Sequence, residues 1–259
     1  MPSDRKGSAK RASAQQRIAE KRAAEALARA HALRRRRAIV GGVVAAVLVA
    51  VAVVVLVVVQ TRRTTTSATA PVPGNSVAGG AAFQVGQASA PVTVDLYEDF
   101  QCPTCKAFEQ LTGPTVAQLV SDGSIKVNYR PIAILDRFSS TEYSTRALNA
   151  AAVVADSAGV DAFLTFHGLL FANQPAENSA GLSDDQLIAF AKQAGASGST
   201  VESRILARYY GDWTKKVTDE ASRTGLQGTP TIRIDGKDLP VQQATPDGFT
   251  AAVKAAANG

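Results

Sequence analysis

Cys102 and Cys105 are the only two cysteines in this 259-residue chain, and they lie in the run Cys102-Pro103-Thr104-Cys105. A strand-like stretch, Val92-Thr93-Val94-Asp95-Leu96-Tyr97, precedes them, and a helical one, Lys106-Ala107-Phe108-Glu109-Gln110-Leu111, follows. That order places Cys102 at a helix N-terminus, where unpaired N–H groups and the helix dipole favour a thiolate over a thiol. Pro103 falls at the first helical position, where its missing N–H costs nothing. A nucleophilic sulfur with a second sulfur close enough to displace it is the minimum equipment for thiol–disulfide exchange.

Two other readings of the pair stand beside that one. Half of a zinc site would need four N or S ligands, and the chain offers only two histidines besides the cysteines. His31 precedes a long apolar run that would separate it from the cysteines, which leaves only His167, so no metal site is expected. A purely structural clip is the other reading. Closing so short a loop contributes only about 2 kcal/mol, against nearly 5 for a long one, and a domain of this size has little need of it.

The formal net charge of +6 is unevenly distributed. Residues 1–37 carry 12 Lys/Arg against 3 Asp/Glu, whereas residues 64–259 hold 14 basic and 19 acidic residues. A mildly acidic domain therefore follows a basic tail, which is not the profile of a nucleic-acid-binding domain. Between them, Ala38 to Val59 are 22 apolar or glycine residues without a charge. As a helix this run would measure about 33 Å, enough to cross a hydrocarbon core of about 30 Å. Arg34-Arg35-Arg36-Arg37 on one side outweigh Arg62-Arg63 on the other, so the N-terminus is expected in the cytoplasm and the bulk of the chain outside. A cleaved signal peptide is the alternative, with Ala68-Thr69-Ala70 as cleavage site, but the apolar run exceeds the usual 7–15 residues. The tail around Arg17–Leu27 is rich in helix formers and suits a position near anionic lipid.

Gln60 to Gly80 is rich in Thr, Ser, Pro and Gly and reads as a flexible linker, with a globular domain over 81–259. The pattern predicts strands at Ala82–Val85, Val92–Leu96 and Ile125–Arg130. A helix from the cysteines to about Val120, kinked near Pro114, lies between the second and third. That βαβ unit implies a parallel strand pair. A helical block at about 140–223 follows, with helices at Tyr143–Ala158, Asp161–Asn173, Ser183–Ala194 and Thr200–Arg223. In the last, Ile205, Leu206, Tyr209, Trp213 and Val217 recur at helical spacing and are expected in the core. Thr231–Ile234 and the Asp235-Gly236-Lys237 turn predict a hairpin, and a terminal helix begins after Thr245-Pro246-Asp247.

This element order resembles an α/β thioredoxin fold with a helical insertion, the architecture of the DsbA-like thiol–disulfide oxidoreductases. Glu98-Asp99-Phe100-Gln101-Cys102-Pro103-Thr104-Cys105 resembles that family's approach to its active site. His167-Gly168-Leu169-Leu170-Phe171-Ala172-Asn173-Gln174-Pro175 resembles a stretch of its helical insertion, and Gly228-Thr229-Pro230-Thr231 resembles its cis-proline loop. The resemblance implies Cys102 as the exposed attacking sulfur and Cys105 as the buried resolving sulfur. It also implies that Thr229 and Pro230 lie against the cysteines with their peptide bond cis, where the missing N–H of Pro230 leaves room for a substrate strand to pair with Thr229. An ordinary turn before a strand is the other reading of that loop.

Two departures bear on the chemistry. Many relatives carry a buried acid six residues before the first cysteine, and Leu96 stands there in this chain. Asp95, Glu98 or Asp99 could take over proton transfer, or the acid could be absent, with Asp99 read first as structural. His167, among Phe163, Phe166 and Leu170, is read as structural and not as a base for Cys102. The dipeptide Pro103-Thr104 replaces the Pro-His of the best-known oxidase, and Thr104 can donate one hydrogen bond but brings no cation. Cys102 is therefore expected to be less acidic than in that enzyme.

The whole reads as a bacterial, membrane-anchored, extracytoplasmic enzyme that donates disulfides to exported proteins bearing cysteine thiols. With no third cysteine, a quinone-linked membrane oxidase of the DsbB or VKOR-like type is the implied reoxidant, and no cofactor is implied. A reductase or isomerase of the same fold, and a non-catalytic binding or chaperone module, are the alternatives.

Overall fold

The structure, a computed structural model, describes residues 70–258. The basic tail (1–37), the apolar span (38–59) and the first part of the linker lie outside the described residues. Among the described residues, no helix is long and apolar enough to cross a membrane.

Five strands form one sheet. They are β1 (Phe83–Val85), β2 (Val92–Glu98), β3 (Ile125–Pro131), β4 (Thr231–Ile234) and β5 (Lys237–Asp238), in the spatial order β1-β3-β2-β4-β5. β2 and β3 pair in parallel from Val92↔Ile125 to Glu98↔Pro131, as the βαβ pattern predicts. β1, β4 and β5 add antiparallel. The central β2 alternates in the way a half-covered strand must: Val92, Val94, Leu96 and Glu98 share one buried face. The hairpin between β4 and β5 turns on Asp235 (φ 46°) and Gly236 (φ 79°), the left-handed pair that a two-residue hairpin turn requires.

The stretch after the cysteines is two helices, not one kinked helix: α1 (Pro103–Leu111) and α2 (Gly113–Ser121). The break falls at Thr112, two residues before Pro114, whose ring and missing N–H cannot continue the ladder. The buried Thr112 hydroxyl donates to the carbonyl of Ala244 (2.9 Å).

The helical insertion comprises α3 (Tyr143–Ala158), α4 (Val160–Ala172), α5 (Asp184–Gln193), α6 (Ser199–Leu206) and α7 (Gly211–Arg223), and α8 (Pro246–Ala257) closes the domain. Ala147, Leu148 and every residue from Ala150 to Ala155 are fully buried in α3. The small alanines let α4, α5, α6 and α7 all pack against it, so this helix is apolar around its circumference. A capping box starts α5, in which the Ser183 hydroxyl accepts from the Gln186 N–H and the Gln186 side chain accepts from the Ser183 N–H. Phe83, Phe163 and Trp213 carry the packing from sheet to helices, with ring centroids 4.6 Å (Phe83–Phe163) and 5.9 Å (Phe83–Trp213) apart.

Two further expectations change. The helix expected over Thr200–Arg223 is interrupted at residues 207–210, where Arg208 takes φ 55°. Asn149, buried in α3, accepts from the Tyr210 N–H (2.8 Å) and donates to the Ile205 carbonyl (3.2 Å), which satisfies the broken turn. Ile205, Trp213 and Val217 are buried as expected, but the break turns Leu206 and Tyr209 out to solvent.

Within the segment expected as linker over 60–80, the described residues 74–80 are bonded to the helical layer. The Gly74 N–H donates to Asp156 (2.8 Å), Asn75 donates to the Ala155 carbonyl (2.7 Å), and the Trp213 indole donates to the Gly80 carbonyl (2.6 Å). These bonds dock the segment on the helical layer. Trp213→Phe keeps an aromatic ring against Phe83 but leaves Gly80 without its donor. The expected cost is about 1–3 kcal/mol, read as a lower urea midpoint; an unchanged midpoint would mean that this contact does not hold the segment.

Candidate active site

Cys102 is the N-cap residue of α1, with extended backbone (φ −76°, ψ 116°) and Pro103 in the first helical turn. Its N–H donates to the Asp99 carbonyl (2.9 Å), and its own carbonyl accepts from Lys106. Both cysteines are free thiols. Cys105, one turn into the helix, is fully buried, while Cys102 retains 6 % of its surface, so the attacking sulfur is less open than its expected role suggested. The cover over Cys102 comes from two loops. The Cys102 thiol donates to the Thr229 carbonyl (3.2 Å), and the Thr229–Pro230 peptide is cis, as the resemblance implied. The Gln174 amide donates to the carbonyls of Phe100 (3.1 Å) and Cys102 (2.9 Å).

The two sulfurs are electrostatically opposite. The Cys105 thiol hydrogen-bonds to the Cys102 sulfur and, with the Thr229 side chain and the N–H groups of Cys105 and Thr104, outweighs burial to bring the Cys102 thiol down to about 6. Burial pushes Cys105 well above the ordinary thiol value, and the neighbouring Cys102 and Glu98 add to the rise. The opposite shifts place the thiolate, when one forms, on the outer sulfur.

The candidate acids separate cleanly. Asp95 is held by Arg130 (2.6 Å) and Asn128 (3.1 Å). Asp99 is buried and accepts four hydrogen bonds, from the N–H groups of Gln101, Ile134 and Leu135 and from the Ser144 hydroxyl. Burial pushes its carboxyl up to about 6. Glu98 is the acid that bears on the cysteines, and burial raises it well above the usual carboxylate range. His167 meets Glu98, not Cys102 (Nε2···Oε2 2.8 Å), inside a ring of Phe100, Tyr129, Phe163 and Phe171.

Sequence reasoning gave no role to Glu109, Gln174 or Ser144. Glu109 could have been found, because it lies four residues after Cys105 and so on the same helix face. Beside Thr104, a groove of about 370 Å³ runs along Gly228, Thr229 and Pro230 to Leu239 and the exposed Val241, and could receive an extended peptide.

A thioredoxin family model matches residues 79–255. The chain belongs to the thioredoxin family. Its matches include DsbA of Mycobacterium tuberculosis in oxidised form, at 34 % identity and TM-score 0.59, covering 69 % of this chain and 93 % of that one. Reduced DsbG of the same organism, described as a disulfide bond oxidoreductase, matches at 32 % identity and TM-score 0.59, over 75 % of this chain and 92 % of that one. Among curated proteins, the serine/threonine-protein kinase PknE of Mycobacterium tuberculosis is 31 % identical over 156 residues, 57 % of this chain. The chain spans only 27 % of the kinase's length. The fold and the redox pair are those of a DsbA-type thiol–disulfide oxidoreductase.

Between pH about 6 and about 8.5 the folded Cys102 has released its proton while the unfolded thiol still holds it. The unfolded dithiol thus binds more protons, and the dithiol form gains stability over the disulfide form as pH rises through that window. The gain disappears as pH falls through about 6. Thiolate absorbance at 240 nm should titrate near 6, in step with the difference in urea stability between the two redox forms. A titration near 8.5 with a flat difference would contradict the geometry.

Proposed function

We propose that the chain is a membrane-tethered, extracytoplasmic oxidoreductase that donates disulfides to exported proteins. The observation that carries this reading is the setting of the two sulfurs: Cys102 is the N-cap of α1 against the Thr229 carbonyl, and Cys105 is fully buried one turn inside, which lowers the first thiol's pKa and raises the second's. A thiol with a lowered pKa is a good leaving group, and stabilising the reduced form makes the disulfide form a stronger oxidant.

A substrate thiolate attacks Cys102 Sγ of the Cys102–Cys105 disulfide, forming a mixed disulfide, and Cys105 leaves and takes a proton. A second substrate thiolate then attacks the substrate sulfur of the mixed disulfide and expels Cys102 as a thiolate. The substrate loses two electrons to the enzyme and two protons, one taken up by Cys105 and one released to solvent, so the enzyme ends reduced with a protonated Cys105 and a Cys102 thiolate. The groove beside Thr229 and Pro230 supports docking of the substrate as an extended segment during both steps.

Anchorage is supported by the sequence: the 22-residue apolar run at 38–59 and the heavier positive charge before it favour an N-terminus in the cytoplasm, near anionic lipid, and a catalytic domain outside. The dithiol is then reoxidised by a quinone-linked membrane oxidase of DsbB or VKOR-like type, which tethering at the bilayer would keep within reach.

Cys105→Ser should trap exported proteins as mixed disulfides on Cys102, visible as adducts on non-reducing gels that reductant removes. Cys102→Ser should form none and should abolish oxidation of a reduced test protein. Full function in Cys102→Ser would instead favour a non-catalytic binding module.

A further inference from the structure

Beneath the cysteine turn, Glu98 at the end of β2, Glu109 of α1 and His167 of α4 meet. One ligand atom of each lies within 4.8 Å of the other two. This is more donor capacity than a single proton transfer at Cys105 requires. Glu98 and His167 are 2 % and 3 % exposed, and the half-buried Glu109 leaves one side open.

Two further observations bear on the cluster. Glu98 Oε2 meets His167, and the buried Oε1 has no N–H or hydroxyl donor; the Glu98 carboxyl is otherwise held only by a hydrogen bond to the Glu109 carboxyl, through a proton that a cation can replace. Gly113 supplies the space in which the Glu109 carboxyl lies, since a Cβ at that position would sit 3.2 Å from Glu109 Oε2. No cation lies beside the cluster: among the described residues no Lys or Arg forms an ion pair with either carboxyl. The titratable groups facing the cluster from α1 and β3 are Cys102, Cys105 and Tyr129, none of which is cationic.

We propose that Glu98, Glu109 and His167 form a site for one divalent transition-metal ion, separate from the cysteine sulfurs. One imidazole and two carboxylates suit an ion of the Zn²⁺ class better than Ca²⁺, which takes oxygen ligands only and more of them. With metal–ligand bonds of about 2.0–2.1 Å in a tetrahedron, ligand atoms stand about 3.3 Å apart. His167 Nε2 and Glu98 Oε2, now 2.8 Å apart, need only a small swing of the glutamate. Water can fill the fourth position from the open side at Glu109. Ligation needs the carboxyls deprotonated, so binding weakens as pH falls. The inference goes beyond the exchange reaction and does not depend on its direction.

The test uses the full chain in detergent, oxidised so that both cysteine sulfurs are tied in the disulfide and cannot ligate. After equilibration with Zn²⁺ at pH 8 and desalting, metal analysis should find one Zn²⁺ per chain. The ion should be released at pH 5, left in place by excess Ca²⁺, and accompanied by a rise in Tm. Glu109→Gln, at a half-buried position, should lose both the retained Zn²⁺ and the Tm rise. No retention by the wild-type chain, retention that is equal at pH 5, or equal retention by Glu109→Gln would overturn the proposal. Should Glu109→Gln not fold, the wild-type stoichiometry and its pH dependence decide the matter alone.

Discussion

The carboxylate of Asp99 is the joint on which the site depends. It lies just past β2, accepts from Gln101 ahead of Cys102, and accepts from Ile134, Leu135 and Ser144 across the β3–α3 connection. One buried side chain thus fixes the cysteine loop to the start of the helical insertion. A buried carboxylate is costly unless its lone pairs are filled, and four donors fill these. Gln174 adds a second tie, from the segment after α4 to the carbonyls of Phe100 and Cys102. With the loop held from both sides, Cys102 is presented at the end of α1 against Thr229 without a flexible hinge.

That rigidity lets small distances set the chemistry. Cys102 gains from the helix N-terminus and from the Cys105 thiol, whereas Cys105 meets an apolar interior and the Glu98 carboxyl. The same burial makes Glu98, Glu109 and His167 an unusual group, with acidic side chains brought together under the redox pair and no cation to offset them. Each feature follows from where β2 and α1 end, and both elements are set by the parallel pairing of β2 with β3.

Much of this was legible in local sequence. The cysteine spacing, Pro103, the Thr229-Pro230 loop and the order of strands and helices are short-range signals, and the structure places them together. The choice among Asp95, Glu98 and Asp99 was also written in β2, because Glu98 continues the buried alternation of Val92, Val94 and Leu96 while Asp95 falls on the other face. What the sequence hid depends on distant partners. Asn149 breaks the expected helix at 207–210 from a position some sixty residues away, and Gln174 reaches the cysteine loop across more than seventy. Residues 71–80 looked like linker because their composition is that of a linker, while their anchoring bonds are made largely by backbone groups whose partners lie in α3 and α7.

The reduction potential of the Cys102–Cys105 couple, equilibrated against glutathione buffers, tests the account most directly. A stabilised Cys102 thiolate over a protonated Cys105 predicts an oxidising couple, above about −180 mV and on the side of DsbA at about −120 mV. A value near −270 mV, that of thioredoxin, would contradict it and reverse the direction of electron flow.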